Sequence, residues 1–491
     1  MGRRDLPPRQ QSVLATIAWS YELLTPPERT LLCEISIFLG SFSLCAAEAV
    51  CTDRLHDDSS VRTTLIALTE KSLVNAESIA GQTRYSILTS VQSFGMERLR
   101  ASGEYQNVAR RHAVWLATLA EGLNIDHIPD EEAGELLVEM DNIRSALDWS
   151  LNESSTEDRF LGGQIVAGFF PLWNALGRAK EQGHWIQTAL ERIDEQRHPL
   201  VAAKLLRLSI LRMQFDPEVL NVAKRAMRVV EASGEVSEQA RLHALIATIY
   251  ATHERFSEAD RSLEMALKIH RGQASENSPL YMVFLNNRAF VRLCQKRFTE
   301  ARRDVTAAEV KALGLGIREY AITDCNFRRA QIEYLAGNLE SALRYAEQIR
   351  DSEFGDRPDQ FQTTRNLIAA IRLLLGDVEG AIQPLREVLG RLREDESIAT
   401  HQELEYASLA LAMRGKNAAA ATVFGCVKAL TKKSEPRRVR QRKDAFDRLC
   451  SLLRASLNER ELVDAMDRGA LLTPELAAAE ALAALDSEDS S

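Results

Sequence analysis

A phosphate cradle needs glycines whose backbone N–H groups wrap the anion, then a Lys and a Ser or Thr for charge and Mg²⁺. The nearest approach in this sequence is Gly415-Lys416, which Asn417 follows, and it reads as a helix terminator. Leu136-Leu137-Val138-Glu139-Met140-Asp141 has the outline of an acidic Mg²⁺ strand, but the helix-favouring residues around it make it a surface helix. Gly314-Leu315-Gly316 lacks the third glycine of a dinucleotide site and reads as a loop. His253-Glu254 lacks a second His four residues after the first, the spacing that puts two zinc ligands on one helix face. His112 and His184 lie near Trp115 and Trp185 and read as packing residues. No Ser sits in G-x-S-x-G. Cys33, Cys45, Cys51, Cys294, Cys325, Cys426 and Cys450 form no C-x-x-C pair, so neither a disulfide framework nor a zinc knuckle is indicated. The expectation is a non-enzymatic protein without metal or cofactor, its thiols reduced.

Recognition is the chemistry that remains, and composition narrows it. Of 491 residues 45% are apolar and 27% charged, with a net charge of −9. No chain-wide positive field draws in nucleic acid or an anionic membrane. Aromatics at 6% with only 24 Gly and 13 Pro favour long helices and exclude an all-β fold. The longest nearly apolar stretch, Ile165 to Leu176, is broken by Pro171 and Asn174 and falls short of the ~20 residues a membrane helix needs. The amino-terminal residues show no small-residue cleavage site. A cytoplasmic protein with no membrane partner is expected.

The elements that must present a recognition surface repeat. Leu242, Leu245, Ile246, Ile249 and Tyr250 have the spacing of one buried helix face, and Ala259, Leu263, Ala266 and Leu267 that of a second. Aligning such hairpins on a small residue of the second helix gives Ala259, Ala301, Ala342, Ala381 and Ala420, spaced 42, 41, 39 and 39 apart. Gly337, Gly376 and Gly415 stand five residues before three of them, as helix terminators do. Ala247, Ala289, Ala330, Ala369 and Ser408 stand twelve before all five. This is the packing logic of tetratricopeptide (TPR) repeats, which the hairpins resemble, though the period is longer than the usual 34. Weaker hairpins around Leu220 and after Gly177, with Gln182, Trp185, Ile186 and Ala189 in matching places, bring the expected total to about seven.

The first hundred residues differ. Helical patterns over Gln11–Leu24, Pro27–Phe38, Ser43–Cys51 and Ser60–Leu73 precede two short strands, Val74–Glu77 and Thr83–Leu88, split at Gly81. Helices followed by a β-hairpin make a winged helix, whose third helix could enter a major groove. Residues 1–104 hold ten Lys and Arg against twelve Asp and Glu, which is poor material for phosphate binding. The candidate nucleic-acid contacts are Arg62, Lys71 and Arg84, with Arg437, Arg438 and Arg440 from the one basic run, Lys432 to Lys443. That run has no aromatics for base stacking and reads chiefly as a solvated linker and helix start.

Several strings carry a family resemblance: Arg4-Asp5-Leu6-Pro7-Pro8-Arg9-Gln10-Gln11, Trp19-Ser20-Tyr21-Glu22-Leu23-Leu24, Lys71-Ser72-Leu73-Val74, Arg110-Arg111-His112, and Glu139-Met140-Asp141-Asn142 through Trp149. With Gly469-Ala470-Leu471-Leu472-Thr473-Pro474-Glu475 near the end, they resemble the region after the nucleotide-binding domain of large bacterial STAND (NB-ARC-type) transcriptional regulators. In that family a P-loop ATPase precedes the string Asp5-Leu6-Pro7-Pro8-Arg9-Gln10-Gln11, and here only Met1 to Arg4 do. A split gene product, a misassigned start or a lost motor would each account for this. The resemblance implies a regulatory module, with a separate P-loop ATPase chain as a partner and the winged helix packing on that ATPase as part of a switch.

The expected fold is all-α, an α-solenoid of about seven TPR-like hairpins preceded by a small winged-helix domain with one β-hairpin. The expected segments are a winged helix at 1–104, a helical connector at 105–160, the repeats at 161–430, a helical cap at 431–483 and a disordered tail at 484–491. A protein partner or small-molecule effector is expected on the first helices of the hairpins. Positions three before and one after the aligned small residue give Asn286, Phe290, Phe327, Gln331 and Asn366. Asp324 and Tyr334, a turn away, extend that row. The alternative function is DNA binding through the winged helix.

Overall fold

A computed structural model describes residues 8–51, 61–79, 81–123, 130–213, 218–273, 278–392, 400–431 and 440–487. The described residues are predominantly helical, and the fold is an all-α solenoid with one small sheet. Two compact units form, Met1–Trp173 with His184–Leu205 and Asn174–Gly183 with Leu206–Ser491. This division is coarser than the five segments read from the sequence, and its boundaries run through three helices, Phe170–Ala175, Ala179–Arg192 and Pro199–Arg212.

The first unit opens with α1 (Pro8–Glu22), α2 (Pro26–Ile35), β1 (Phe42–Ser43), α3 (Leu44–Cys51) and α4 (Val61–Glu70). The hairpin β2 (Asn75–Ile79) and β3 (Gln82–Ser86) follows, then α5 (Thr89–Ala101), α6 (Tyr105–Glu121), α7 (Asp130–Leu137) and α8 (Met140–Asp148). A π-helical turn, Trp149–Glu153, leads to α9 (Arg159–Gly168) and α10 (Phe170–Ala175). Local chemistry sets these ends: α2 starts on a capping box in which the Thr25 N–H donates to Glu28 Oε2 at 2.8 Å. The hairpin expected from the sequence gains a third strand, because Phe42 and Ser43 pair antiparallel with Tyr85 and Arg84. Two residues are too few for a strand pattern to be visible. His112 packs edge-on against Phe38 with ring centroids 5.1 Å apart, and burial drags its imidazole down to about 3, so it is a neutral core residue.

After α11 (Ala179–Arg192), α12 (Pro199–Arg212) and α13 (Val219–Ser233) come five hairpins. They are α14 (Val236–Thr252) with α15 (Phe256–Gln273), α16 (Pro279–Cys294) with α17 (Phe298–Gly314), and a third built from α18 (Arg318–Tyr320), a π turn (Ala321–Cys325), α19 (Asn326–Leu335) and α20 (Leu339–Arg350). The last two are α21 (Pro358–Leu375) with α22 (Val378–Leu392) and α23 (Thr400–Met413) with α24 (Asn417–Thr431). The cap consists of α25 (Arg440–Ser456), α26 (Glu459–Ala470) and α27 (Pro474–Asp486). Its Leu449, Leu453, Ala465, Ala478 and Leu485 join one apolar core with Leu404, Leu411 and Phe424 of the last hairpin. Leu485 is buried in that helix, so the tail expected at 484–491 does not begin at 484.

All ten aligned small residues, from Ala247 and Ala259 to Ser408 and Ala420, are fully buried. Each turn closes the same way. The residue five before the second-helix alanine has positive φ, and the next residue's N–H bonds to the carbonyl five positions back, as from Arg255 to Tyr250 at 2.9 Å and from Lys416 to Leu411 at 2.9 Å. Glycine fills that position at 337, 376 and 415, while Glu254 (φ 59°) and Lys296 (φ 61°) fill it in the first two hairpins.

Candidate functional site

The helix α16 starts on Ser278, whose hydroxyl accepts from the Leu280 N–H at 3.2 Å, with Pro279 at its first position. It buries Leu280, Phe284, Leu285, Ala289 and Leu293 in the apolar core, and on the side toward α19 it carries buried Asn286, 7% exposed, and half-buried Phe290. The corresponding helix of the next hairpin is not regular. The π turn Ala321–Cys325 sits between α18 and α19, and such turns insert one residue and re-aim the side chains beyond them, often at functional sites.

Just beyond that turn stands Arg328, half-buried. Its Nε donates to Asn286 Oδ1 at 3.2 Å and its Nη1 to Gln331 Oε1 at 2.6 Å. Its Cζ lies 4.6 Å from the centre of the Phe290 ring. Burial pulls this guanidinium below the usual arginine range, against the opposing pull of nearby Tyr320 and Asp324. Burial likewise pushes the Tyr320 phenol well up, and that hydroxyl donates to the Met282 carbonyl at 3.4 Å.

Other arginines on these hairpins are neutralised by carboxylates. Arg288 and Arg292 both meet Asp304 at 2.6 Å, Arg302 meets Glu333 at 2.7 Å, Arg329 meets Glu309 at 2.8 Å, and Arg372 meets Glu347 at 2.6 Å. Arg328 has two amide oxygens and a ring instead. Its three other N–H groups have no acceptor among the described residues.

The row read from the sequence therefore divides. Asn286, Phe290 and Gln331 converge on Arg328, with Asp324 one turn before it. Phe327 and Tyr334 belong instead to the apolar core with Ala330, Ala342, Ala346 and Ile368. Tyr334 is 5% exposed and Asn366 3%, and the Asn366 amide donates to buried Glu403 at 2.6 Å. An open groove lined by all seven residues is thus corrected to one polar cluster and two buried neighbourhoods. Arg328 itself was missed because it falls two before the aligned small residue, outside the positions that spacing selects.

The candidate nucleic-acid contacts also part. Arg62 is exposed on α4. Lys71 is held by Glu28 at 2.6 Å. Arg84 is not a surface cation, which corrects its reading as a contact: it is 6% exposed and donates to Glu139 Oε1 at 2.6 Å and to the Ser41 carbonyl at 2.7 Å. Arg437 and Arg438 lie outside the described residues, and Arg440 opens α25. Among the described residues no three His, Cys, Asp or Glu side chains gather as metal ligands would, and no helix is long and apolar enough to cross a membrane.

No family model matches the sequence. A stretch of 212 residues is 32% identical to a Mycobacterium tuberculosis protein named "Putative HTH-type transcriptional regulator", covering 43% of this chain and 23% of that one. A Mycobacterium bovis protein of the same description matches equally. A stretch of 104 residues is 35% identical to an uncharacterized M. tuberculosis protein, covering 21% of this chain and 26% of that one. These matches span about a quarter of each relative's length. Among solved structures, that of the Signal Transduction ATPase with Numerous Domains (STAND) protein with a tetratricopeptide repeat sensor from Pyrococcus horikoshii superposes with a TM-score of 0.50 at 16% identity, covering 92% of this chain and 63% of that one. The chain thus has the helical-repeat fold of that structure and, over part of its length, sequence kinship with proteins named as transcriptional regulators.

Proposed function

We propose that this chain is a non-enzymatic regulatory module in which the TPR-like array is the sensor. It receives a protein partner or small-molecule effector on the first helices of its hairpins, and the amino-terminal winged helix relays occupancy within a STAND-type transcriptional regulator. The observation that carries the reading is the array itself: five hairpins closed by the same turn bond around fully buried small residues, a scaffold suited to presenting one extended surface. The kinship with proteins named as regulators supports its setting.

The alternative, DNA contact through the winged helix, draws support from the helix-turn-helix description of those relatives. It has few cations to use, since Arg84 is buried on Glu139 and Lys71 bonds Glu28. Two measurements on the purified chain separate the readings. Calorimetry is expected to show no Mg²⁺-dependent ATP binding, and mobility shifts at physiological salt only weak, sequence-indifferent DNA binding. A promoter complex tighter than about 10⁻⁸ M, in the specific range, would overturn the sensor reading in favour of DNA recognition.

A further inference from the structure

We infer that Arg328 is the anchoring cation of a ligand site for a singly charged carboxylate, seated by Asn286, Gln331 and Phe290 on the first-helix face of the second and third hairpins. The inference rests on the sensor reading and names the chemistry of the group sensed.

The seating is the first support. A guanidinium is a planar fork of five N–H donors, and here Asn286 Oδ1 takes Nε and Gln331 Oε1 takes one N–H of Nη1. The Phe290 ring centre lies 4.6 Å from Cζ. Both amides are neutral, so they fix the fork's orientation without cancelling its charge. The unused edge, spanning Nη1 and Nη2, has the geometry that accepts two carboxylate oxygens in parallel.

The second support is contrast. Half-buried arginines on the first helices of the second to fourth hairpins, Arg288, Arg292, Arg329 and Arg372, are each matched by an internal carboxylate. A partly desolvated charge with no such match costs free energy in the empty protein, and an incoming anion recovers it. The third is the π turn at Ala321–Cys325, which ends three residues before Arg328 and changes the direction in which the residues after it project. Charge then selects among anions. Asp324, near enough to act on Arg328, lowers the local positive potential, which a monoanion tolerates better than a phosphate dianion.

The test is thermal melting of the full chain with sodium propionate, sodium phenylacetate and inorganic phosphate, each against sodium chloride at equal ionic strength. A tetra-alanine peptide with a free or an amidated carboxyl end separates a chain terminus from a small acid as the source. The wild type is expected to melt at saturably higher temperature with the carboxylates, and the free peptide to outperform the amidated one. In Arg328→Gln the apparent affinity is expected to fall about tenfold or more, as when charge-assisted bonds are lost. Because no internal ion pair is broken, Arg328→Gln melts close to the wild type without ligand. Arg302→Gln, which loses Glu333, melts lower yet keeps the carboxylate response. Asn286→Ala unseats the fork while keeping the charge, and its response is expected to weaken as well, so the test stands even if Arg328→Gln does not fold. No shift beyond chloride in the wild type, an undiminished shift in both Arg328→Gln and Asn286→Ala, or phosphate acting as well as the carboxylates would each overturn the assignment. A protein partner that still binds the array when no carboxylate does would sink the carboxylate chemistry and leave the sensor reading standing.

Discussion

The Arg84 guanidinium on β3 and the Glu139 carboxylate just before α8 meet at 2.6 Å with side chains only 7% and 6% exposed. Ser41 and Asn142 complete the arrangement. Arg84 donates to the Ser41 hydroxyl and carbonyl at 3.1 and 2.7 Å, and Asn142 Nδ2 donates to the same carbonyl at 3.0 Å and to Glu139 Oε2 at 2.8 Å. One cluster so ties the hairpin, the turn before β1 and the start of α8. Removing one member of a buried pair strands the other charge, at a cost of about 3–5 kcal/mol. Arg84→Ala should therefore lower the urea midpoint severely, and Arg84→Met with Glu139→Leu should recover much of the loss. DNA affinity should not follow the stability change, since Arg84 is not available to phosphate. A single variant as stable as the wild type would show that the pair contributes nothing.

Glu254 and Lys296 hold the left-handed turn position that glycine holds in the next three hairpins. An L-residue there crowds its Cβ against the backbone by roughly 1–2 kcal/mol, while glycine's extra freedom in the unfolded chain takes back part of any gain. Glu254→Gly and Lys296→Gly should each raise the melting temperature modestly, by up to about 1 kcal/mol of stability. Gly376→Ala should lower it by a similar amount. Both side chains are exposed, so loss of contacts does not complicate the comparison. Destabilisation by the glycine variants would point to a contact made by the Glu254 or Lys296 side chain.

These turns show what the sequence could and could not convey. The alanine frame was legible because close helix crossing admits only small residues, and that requirement returns with every hairpin. The turn at Gly337 was legible for the same reason, yet its equivalents at 254 and 296 were hidden because ordinary residues occupy a strained position. At the candidate site, spacing found Asn286, Phe290 and Gln331 but not the arginine they surround. A charged residue two before the small position reads as solvated unless its partners are known, and the π turn that redirects it has no residue signature. Phe327, Tyr334 and Asn366 were misread because helical spacing alone does not separate a face turned to solvent from one covered by the neighbouring hairpin.

His112 gives the first unit a built-in sensitivity to acid. Its imidazole titrates at about 3 in the folded protein, against about 6.5 in an unfolded chain. Above pH 6.5 both states are neutral and the full stability is present. As pH falls toward 3 the unfolded chain takes up a proton that the folded one refuses, so stability drops by as much as about 1.4 kcal/mol per pH unit. His112→Phe keeps an aromatic ring beside Phe38 and removes the proton. Its urea midpoint should fall less than that of the wild type between about pH 6 and pH 4. Parallel pH profiles for the two proteins would refute the role of His112.

The carboxyl-terminal cap depends on two glycines that let α26 lie directly on α24. A Cβ at Gly469 would come within 1.7 Å of the Thr422 carbonyl oxygen, and one at Gly425 within 2.1 Å of the Met466 carbonyl oxygen. Both obstacles are backbone, so a small side-chain movement cannot relieve them, and overpacking a close contact typically costs about 1–3 kcal/mol or more. Gly469→Ala should force the helices apart and expose the core that Ala465 and Leu449 share with Leu411 and Phe424. Limited proteolysis should then release fragments ending near residue 457 while the hairpins from α14 to α22 stay protected, because those are closed by their own alanine pairs. Gly390→Ala, on α22 with nothing within 4 Å of the added carbon, is the control and should be neutral or slightly stabilising. If Gly469→Ala melted and digested like Gly390→Ala, the cap would not rest on this contact.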